Sequence, residues 1–365
     1  MREVIVFYDY LPYILLVGIC GLFACFKFKD NLGVKTIFWI MLIFSAIRYN
    51  VGWDFPTYTD LIEGRLKDSQ FERIEWLSQS IMLLARYTFT QFYFIINSVI
   101  GMVCLYKVCS KLSKDAAFSL FLFLTFSLFY LMTMNIIRNF VAILLVMYAC
   151  RLLLEKKYWG YVVVIIIATG FHSSAVIGFI LPIVYYLVFR LRIGKWTNLI
   201  FFIVSFFVGK LIIFIIFIFS GNPLLSTIVY YIVNNTEGSG KYYQYVFYLL
   251  NLVFILSWDK LIRVDNLNRL WITLVNTGVC FWVALSFQYT LSIRMALFFI
   301  VWMIIIIPTL IDSFSQKYRT LAKQCIVLFF VALFFINLFL LAKAYNSGEI
   351  LQASFLPYKV FFFQN

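Results

Sequence analysis

Apolar runs of near membrane-spanning length recur along this chain, and no other feature limits its fold so tightly. "VIVFYDYLPYILLVGICGLFACF" opens the series, and "NLIFFIVSFFVGKLIIFIIFIF" and "CIVLFFVALFFINLFLL" continue it. A helix needs about 20 residues to cross the hydrocarbon of a bilayer. Inside that layer only helices and closed barrels satisfy the backbone. The runs are continuous and do not alternate with period two, so they predict helices. Composition agrees: 64% of the residues are hydrophobic and 13% charged, against roughly 25% charged in a soluble domain. The expectation is an all-α polytopic membrane protein, a single integral membrane domain over 1–365 with about twelve spans. They fall near 11–27, 35–49, 88–106, 116–133, 136–154, 158–169, 172–189, 196–219, 244–258, 268–287, 294–311 and 321–342. The pair at 158–189 is short enough to be one broken hairpin. The first run lacks a basic leader and a small-residue cleavage site, and reads as a span. Seven cysteines form no CxxC pair, so they read as packing residues with no metal or redox site.

The net charge of +14 invites a nucleic-acid reading, but its distribution opposes one. Six short loops hold three basic residues each: Lys27/Lys29/Lys35, Lys107/Lys111/Lys114, Arg151/Lys156/Lys157, Arg190/Arg192/Lys195, Lys260/Arg263/Arg269 and Lys317/Arg319/Lys323. These loops carry 18 basic and 6 acidic residues, and the rest of the chain 12 and 10. An excess of Lys and Arg on alternate loops marks a cytoplasmic face. Both termini and the segments 50–75, 220–243, 288–293 and 343–365 are then expected outside.

Charges retained within spans default to functional hypotheses, because each costs about 3 kcal/mol or more in lipid. Arg48 ends the second expected span, Arg138 opens the fifth and Arg294 the eleventh, all on the outer side. Lys210 lies in the outer half of the eighth, and His172, the only histidine, sits at the outer turn between the sixth and seventh. One by one, each has a bland reading: an interfacial Arg or Lys snorkels to headgroups, and a lone His at a helix start is ordinarily a satisfied polar residue. Five such groups at one depth, with few acids in the membrane to pair them, fit a cavity for a phosphate or diphosphate, which Arg grips bidentately. The outer segment "NVGWDFPTYTDLIEGRLKDSQFERIE" (Asn50–Glu75) combines aromatics with six acids and three basic residues. That mixture suits a sugar, stacked on rings and hydrogen-bonded to carboxylates. Its bland reading is an amphipathic interfacial segment with belt aromatics. Asp54 and Asp60 are too loosely spaced, with Pro56 between them, to argue for a metal.

Five stretches, "RYNVGWDFPTYTD" (Arg48–Asp60), "NIIRNFVAILL" (Asn135–Leu145), "ATGFHSSAVI" (Ala168–Ile177), "SIRMALFF" (Ser292–Phe299) and "LPYKVFF" (Leu356–Phe362), occur in an order and span context that resembles the EpsG/Wzy-like family. These are polysaccharide polymerases of bacterial exopolysaccharide and O-antigen assembly. Asn139 stands where the family commonly has Gln, and Trp53 where a smaller residue is expected. The resemblance implies a GT-C-like membrane glycosyltransferase of the bacterial inner membrane with its active site facing the periplasm. Its donor and acceptor would be undecaprenyl-diphosphate-linked oligosaccharides. Its other partners would be the bilayer and a chain-length regulator, with no nucleic acid, cofactor or metal. On that reading Arg138 and Arg294 grip the diphosphate, with Lys210 or Arg48 as helper. His172 or Asp54 is the acceptor base. Tyr49, Trp53 and Tyr58 position sugars, and Tyr358 closes the site. The rival readings are a polysaccharide-lipid transporter or flippase, an O-antigen ligase and a membrane acyltransferase. A flippase spreads its charges through the membrane depth, an acyltransferase wants more histidine, and a ligase wants a larger external domain.

Overall fold

The computed structural model describes residues 4–26, 28–218, 241–350 and 355–363. Lys27, residue 219 of the eighth expected span, positions 220–240 of the expected outer segment and positions 351–354, 364 and 365 of the expected outer tail lie outside the described residues. In chain order the helices are α1 (Leu11–Cys25), α2 (Leu32–Ala46), α3 (Asp54–Ile62), α4 (Asp68–Phe71), α5 (Trp76–Tyr87), α6 (Gln91–Leu112), α7 (Ala116–Thr125), α8 (Tyr130–Asn135) and α9 (Ile137–Leu154). They continue as α10 (Tyr158–Phe171), α11 (Leu181–Phe189), α12 (Lys195–Ile218), α13 (Lys241–Leu256), α14 (Trp258–Val264), α15 (Asn268–Ala284), α16 (Tyr289–Ile300), α17 (Met303–Asp312) and α18 (Gln316–Asn346). Two short strands, β1 (Arg48–Tyr49) and β2 (Lys359–Val360), pair antiparallel, with Arg48 opposite Val360 and Tyr49 opposite Lys359.

Every expected apolar run with described residues is helical, as an all-α membrane protein requires. Fewer runs are straight spans than expected. Among the described residues five helices have the length and apolarity to cross a bilayer, or seven if each of two bent pairs, at 69° and 46°, is one span. The run expected over 116–133 is broken into α7 and α8, and α9 starts only after Ile136 departs from helical geometry (φ −85°, ψ 62°). Hydrophobicity locates a run; local backbone breaks decide whether it is straight.

The chain forms two compact units, one of residues 1–176 and 316–365, the other of 177–315. In the first, α9 is apolar on all sides and packs against α6 and α10 as the buried centre of its unit, as expected for a helix without a polar face. The segment expected as an external loop is largely helical. Phe55, Tyr58, Leu61 and Ile62 of α3 and Met82 and Ala85 of α5 form a core with Tyr93 and Phe94 of α6 and Ile137 of α9. Its rings interlock, Phe55 stacking on Phe94 at 4.1 Å.

In the second unit, buried amides tie α12, α13 and α15 together. Asn276 donates to the backbone and side-chain oxygens of Asn198, at 2.9 and 3.1 Å, and accepts from Asn251 at 2.9 Å. Between helices in a membrane such bonds replace the hydrophobic drive that lipid cannot supply. Trp271 and Trp302 stack at 4.5 Å beside them.

Candidate functional site

The first family-like stretch folds into a tight corner where α2 ends. The last carbonyls of a helix have no intrahelical donor, and here side chains supply them. The Arg48 guanidinium donates to the carbonyls of Ser45 and, at 3.3 Å, of Val51. Gln91 donates to those of Ala46 and Arg48 at 2.7 and 2.9 Å. Arg48 is 1% exposed and stands over the Phe94 ring. The expectation offered this guanidinium to a diphosphate; the structure occupies it with backbone, as a cap. Gly52 then turns the chain at φ +101°, and a Cβ there would collide with the Met134 carbonyl. Next to it the Trp53 N–H donates to Asn135 Oδ1 at 2.8 Å. Together these contacts fix the start of α3 against the end of α8.

The C-terminal segment seals the same corner. The Phe361 N–H donates to the Ile47 carbonyl, Tyr358 stacks on Phe44 at 4.0 Å, and its hydroxyl donates to the Phe44 carbonyl at 2.6 Å. Tyr358, expected to close the site, packs against the end of α2.

Beyond that corner lies a continuous polar cluster on α3, α5, α9 and the turn after α10. Arg138, in the first turn of α9, donates through Nε to the Tyr58 hydroxyl at 2.9 Å and through Nη1 to Glu75. The other Glu75 oxygen accepts the Ser173 N–H at 2.9 Å. Burial alone would raise the Glu75 carboxyl, but the Ser173 N–H and the Arg138 charge outweigh it and hold the group below the usual carboxylate range. His172 caps α10 in extended geometry, at φ −155° and ψ 126°. Its Nδ1 lies 2.7 Å from Ser174 Oγ, which is 3.1 Å from Asn139 Oδ1. Gly170 lets this turn rest on α5, since a Cβ there would meet Trp76 at 2.8 Å. Arg138 and Glu75 keep 22% and 18% of their side-chain surface, so the pair is half-buried.

The sequence-predicted residues thus separate. Arg138, His172 and Tyr58 share this cluster, Tyr58 as the buried support of Arg138. Asp54 opens α3 half-buried, Trp53 beside it is 43% exposed, and Tyr49 meets Phe55 edge-on at 5.6 Å. Lys210 and Arg294 belong to the second unit, exposed on α12 and half-buried on α16. Among the described residues no carboxylate lies within ion-pair distance of either. The expectation that acids were too few to pair the outer cations fails at Arg138. Glu75 pairs it, a residue counted only among the six acids of its segment. Its place immediately before an amphipathic run, in "ERIEW", was the one available signal.

The sequence model of the EpsG family matches residues 34–360, nearly the whole chain. No curated protein and no solved structure matches.

Proposed function

This chain belongs to the EpsG family, and we propose that it polymerises lipid-linked oligosaccharides at the outer face of the bacterial inner membrane. Membership supports a polysaccharide-polymerase role in general; the residues argue for its mechanism. In the proposed reaction a hydroxyl of the acceptor's terminal sugar bonds to the anomeric carbon of the donor chain. The bond from that carbon to the undecaprenyl diphosphate breaks, and the diphosphate leaves with the electron pair. The hydroxyl proton passes to a protein base. Preorganised cations stabilise the charge that develops on the leaving group, and a positioned base accelerates the proton loss.

One observation carries this reading. Three of the family-like stretches, far apart in the chain, supply Tyr58, Arg138 and the His172 turn to a single half-buried cluster around one guanidinium. In the proposed roles Arg138 in the first unit, and Arg294 and Lys210 in the second, are each candidates for binding the diphosphate. His172 and Asp54 are the two candidates for the acceptor base, and Trp53 and Tyr49 meet the sugars. The test is polymer length in a polymerase-deleted strain carrying Arg138→Ala, Arg294→Ala or His172→Ala. Each well-expressed variant is expected to leave single repeat units on their carrier. Normal long polymer from all three would remove the proposed site, and absence of any repeat unit at the outer face would favour a flippase.

A further inference from the structure

The helix α5 turns an apolar face outward. Trp76, Leu83, Leu84 and Tyr87 are all exposed, Tyr87 by 84%, and with Ser80 they recur at the spacing that gathers side chains on one side of a helix. Ser78, Met82 and Ala85 are buried on the opposite side, toward the core formed with α3 and α6.

The polar side chains of α5 find their partners within the protein. Ser80, in the middle of the exposed face, donates to the Trp76 carbonyl at 2.8 Å. Ser78 meets the Tyr93 hydroxyl at 3.2 Å, and Gln79 donates to the Phe71 carbonyl at 2.8 Å. Arg86, the one charge in the helix, is held against the end of α3. Its Nε and Nη2 donate to the carbonyls of Ile62 and Leu61 at 2.7 and 2.9 Å. Just past the helix, Thr88 donates to the Leu84 carbonyl at 2.9 Å. A hydroxyl bonded to the carbonyl four residues back asks nothing of its surroundings. A protein partner would be met with about one hydrogen bond per 100–200 Å², and Ser80 and Thr88 have already given theirs to their own backbone.

The same surface continues onto a neighbouring helix. No charged residue occurs in α10, and Trp159, Val163 and Ile166 are exposed along it at helical spacing. The Thr169 hydroxyl is likewise turned back, to the Ile166 carbonyl at 2.7 Å. Gly170, at the end of α10, lies against the Trp76 ring, so the apolar surface of α10 runs on to α5. With 12 residues, α5 is too short for a crossing that takes about 20, and it can only lie along a bilayer.

We propose that α5 is a membrane-docking helix, laid in the boundary between lipid headgroups and acyl chains with Trp76, Leu83, Leu84 and Tyr87 toward the lipid. Helices of this kind sink about 5–10 Å into that boundary. Glu75 is the N-cap of α5, so its pair with Arg138 stands near the level of the lipid phosphates. The use of that depth rests on the polymerase reading: a carrier-linked diphosphate meets the Arg138 guanidinium while its polyprenyl tail stays in the bilayer.

The test is spin-label accessibility in the full-length protein, with Cys25 and Cys325 replaced by Ser, in vesicles of phosphatidylethanolamine and phosphatidylglycerol. A nitroxide on Leu84→Cys is expected to collide more with dissolved oxygen, which concentrates in lipid, than with a water-soluble nickel chelate. On Lys67→Cys, at an exposed position before α4, the order is expected to reverse. Tyr87→Cys gives the same reading should Leu84→Cys fail to fold. Collisions dominated by nickel at 84 or 87 place the face in water, and shielding from both reagents places it under protein, a second copy included. Either result overturns the inference. No polymer is made in this measurement, so its failure and the failure of the polymerase reading are seen separately.

Discussion

At the scale of single residues, the Glu75–Arg138 pair links the two halves of the proposed site, because Glu75 also holds the turn that carries His172. Glu75→Gln keeps the shape and removes the charge. The carboxyl is held below its usual range in the fold. A depressed carboxyl contributes stability that is complete above its unfolded value, roughly 4.3, and is lost as pH falls through the lower folded value. The melting-temperature advantage of the unmodified protein over Glu75→Gln should therefore stay level from pH 7 to about 5 and close only below about 4. Closure already between pH 7 and 6 would show that the pair is not what the variant removed. Gly52 offers a sharper test of geometry. An added methyl collides with the Met134 carbonyl while the backbone is at φ +101°, so neither space nor conformation allows it. Gly52→Ala should cost on the order of 3 kcal/mol, read as a large fall in melting temperature in detergent. A neutral Gly52→Ala would mean that the corner between α2 and α3 is built differently.

At the scale of elements, the end of α2 shows how a charge can be conspicuous in sequence and structural in the fold. Arg48 was legible as a costly residue, because an arginine at the end of an apolar run must be accounted for. Its use was not legible, because the carbonyls it caps belong to its own helix and the turn after it, whose path depends on Gly52 and Asn50, both at positive φ. Gln91, its partner in the cap, lies 43 residues further on and carries no charge to draw notice. Gln91→Ala leaves two buried carbonyls without that donor and should cost about 1–3 kcal/mol, a loss visible as a lower melting temperature with polymer still made. Tyr358 allows a graded version of the same test. Tyr358→Phe removes the bond to the Phe44 carbonyl but keeps the ring stack, and should cost about 1 kcal/mol. Tyr358→Ala also empties the stack and should cost about 3–5 kcal/mol. Equal effects from the two would place the contribution of Tyr358 in its hydroxyl alone.

At the scale of the whole molecule, the positions of the helices were legible because apolar runs are a property of the chain itself. Their breaks were not. The α7–α8 and α8–α9 interruptions come from a handful of backbone torsions within sequence that is apolar on both sides. The amphipathic helix α5 also escaped, since Ser78, Met82 and Ala85 mark its buried face too weakly against a background of long apolar spans. Arg138 and His172 drew notice in the sequence by the same argument that located the spans, since polar groups are expensive where lipid surrounds them, and the fold brings both into one polar cluster. Topology is the larger expectation still to be measured, and it rests on one physical asymmetry, the 18 basic residues gathered on alternate loops. If that bias sets orientation, position 60 is outside and position 320 inside. Asp60→Cys is expected to react with a membrane-impermeant thiol reagent applied to intact cells, and Thr320→Cys only after the membrane is opened. Cys25 and Cys325 are exposed in the fold, so both are replaced by Ser beforehand to leave the engineered thiols as the accessible ones. Labelling at 320 but not at 60 in intact cells would invert the orientation and carry the Arg138–His172 cluster to the cytoplasmic face, where a polymerase of exported repeat units could not use it.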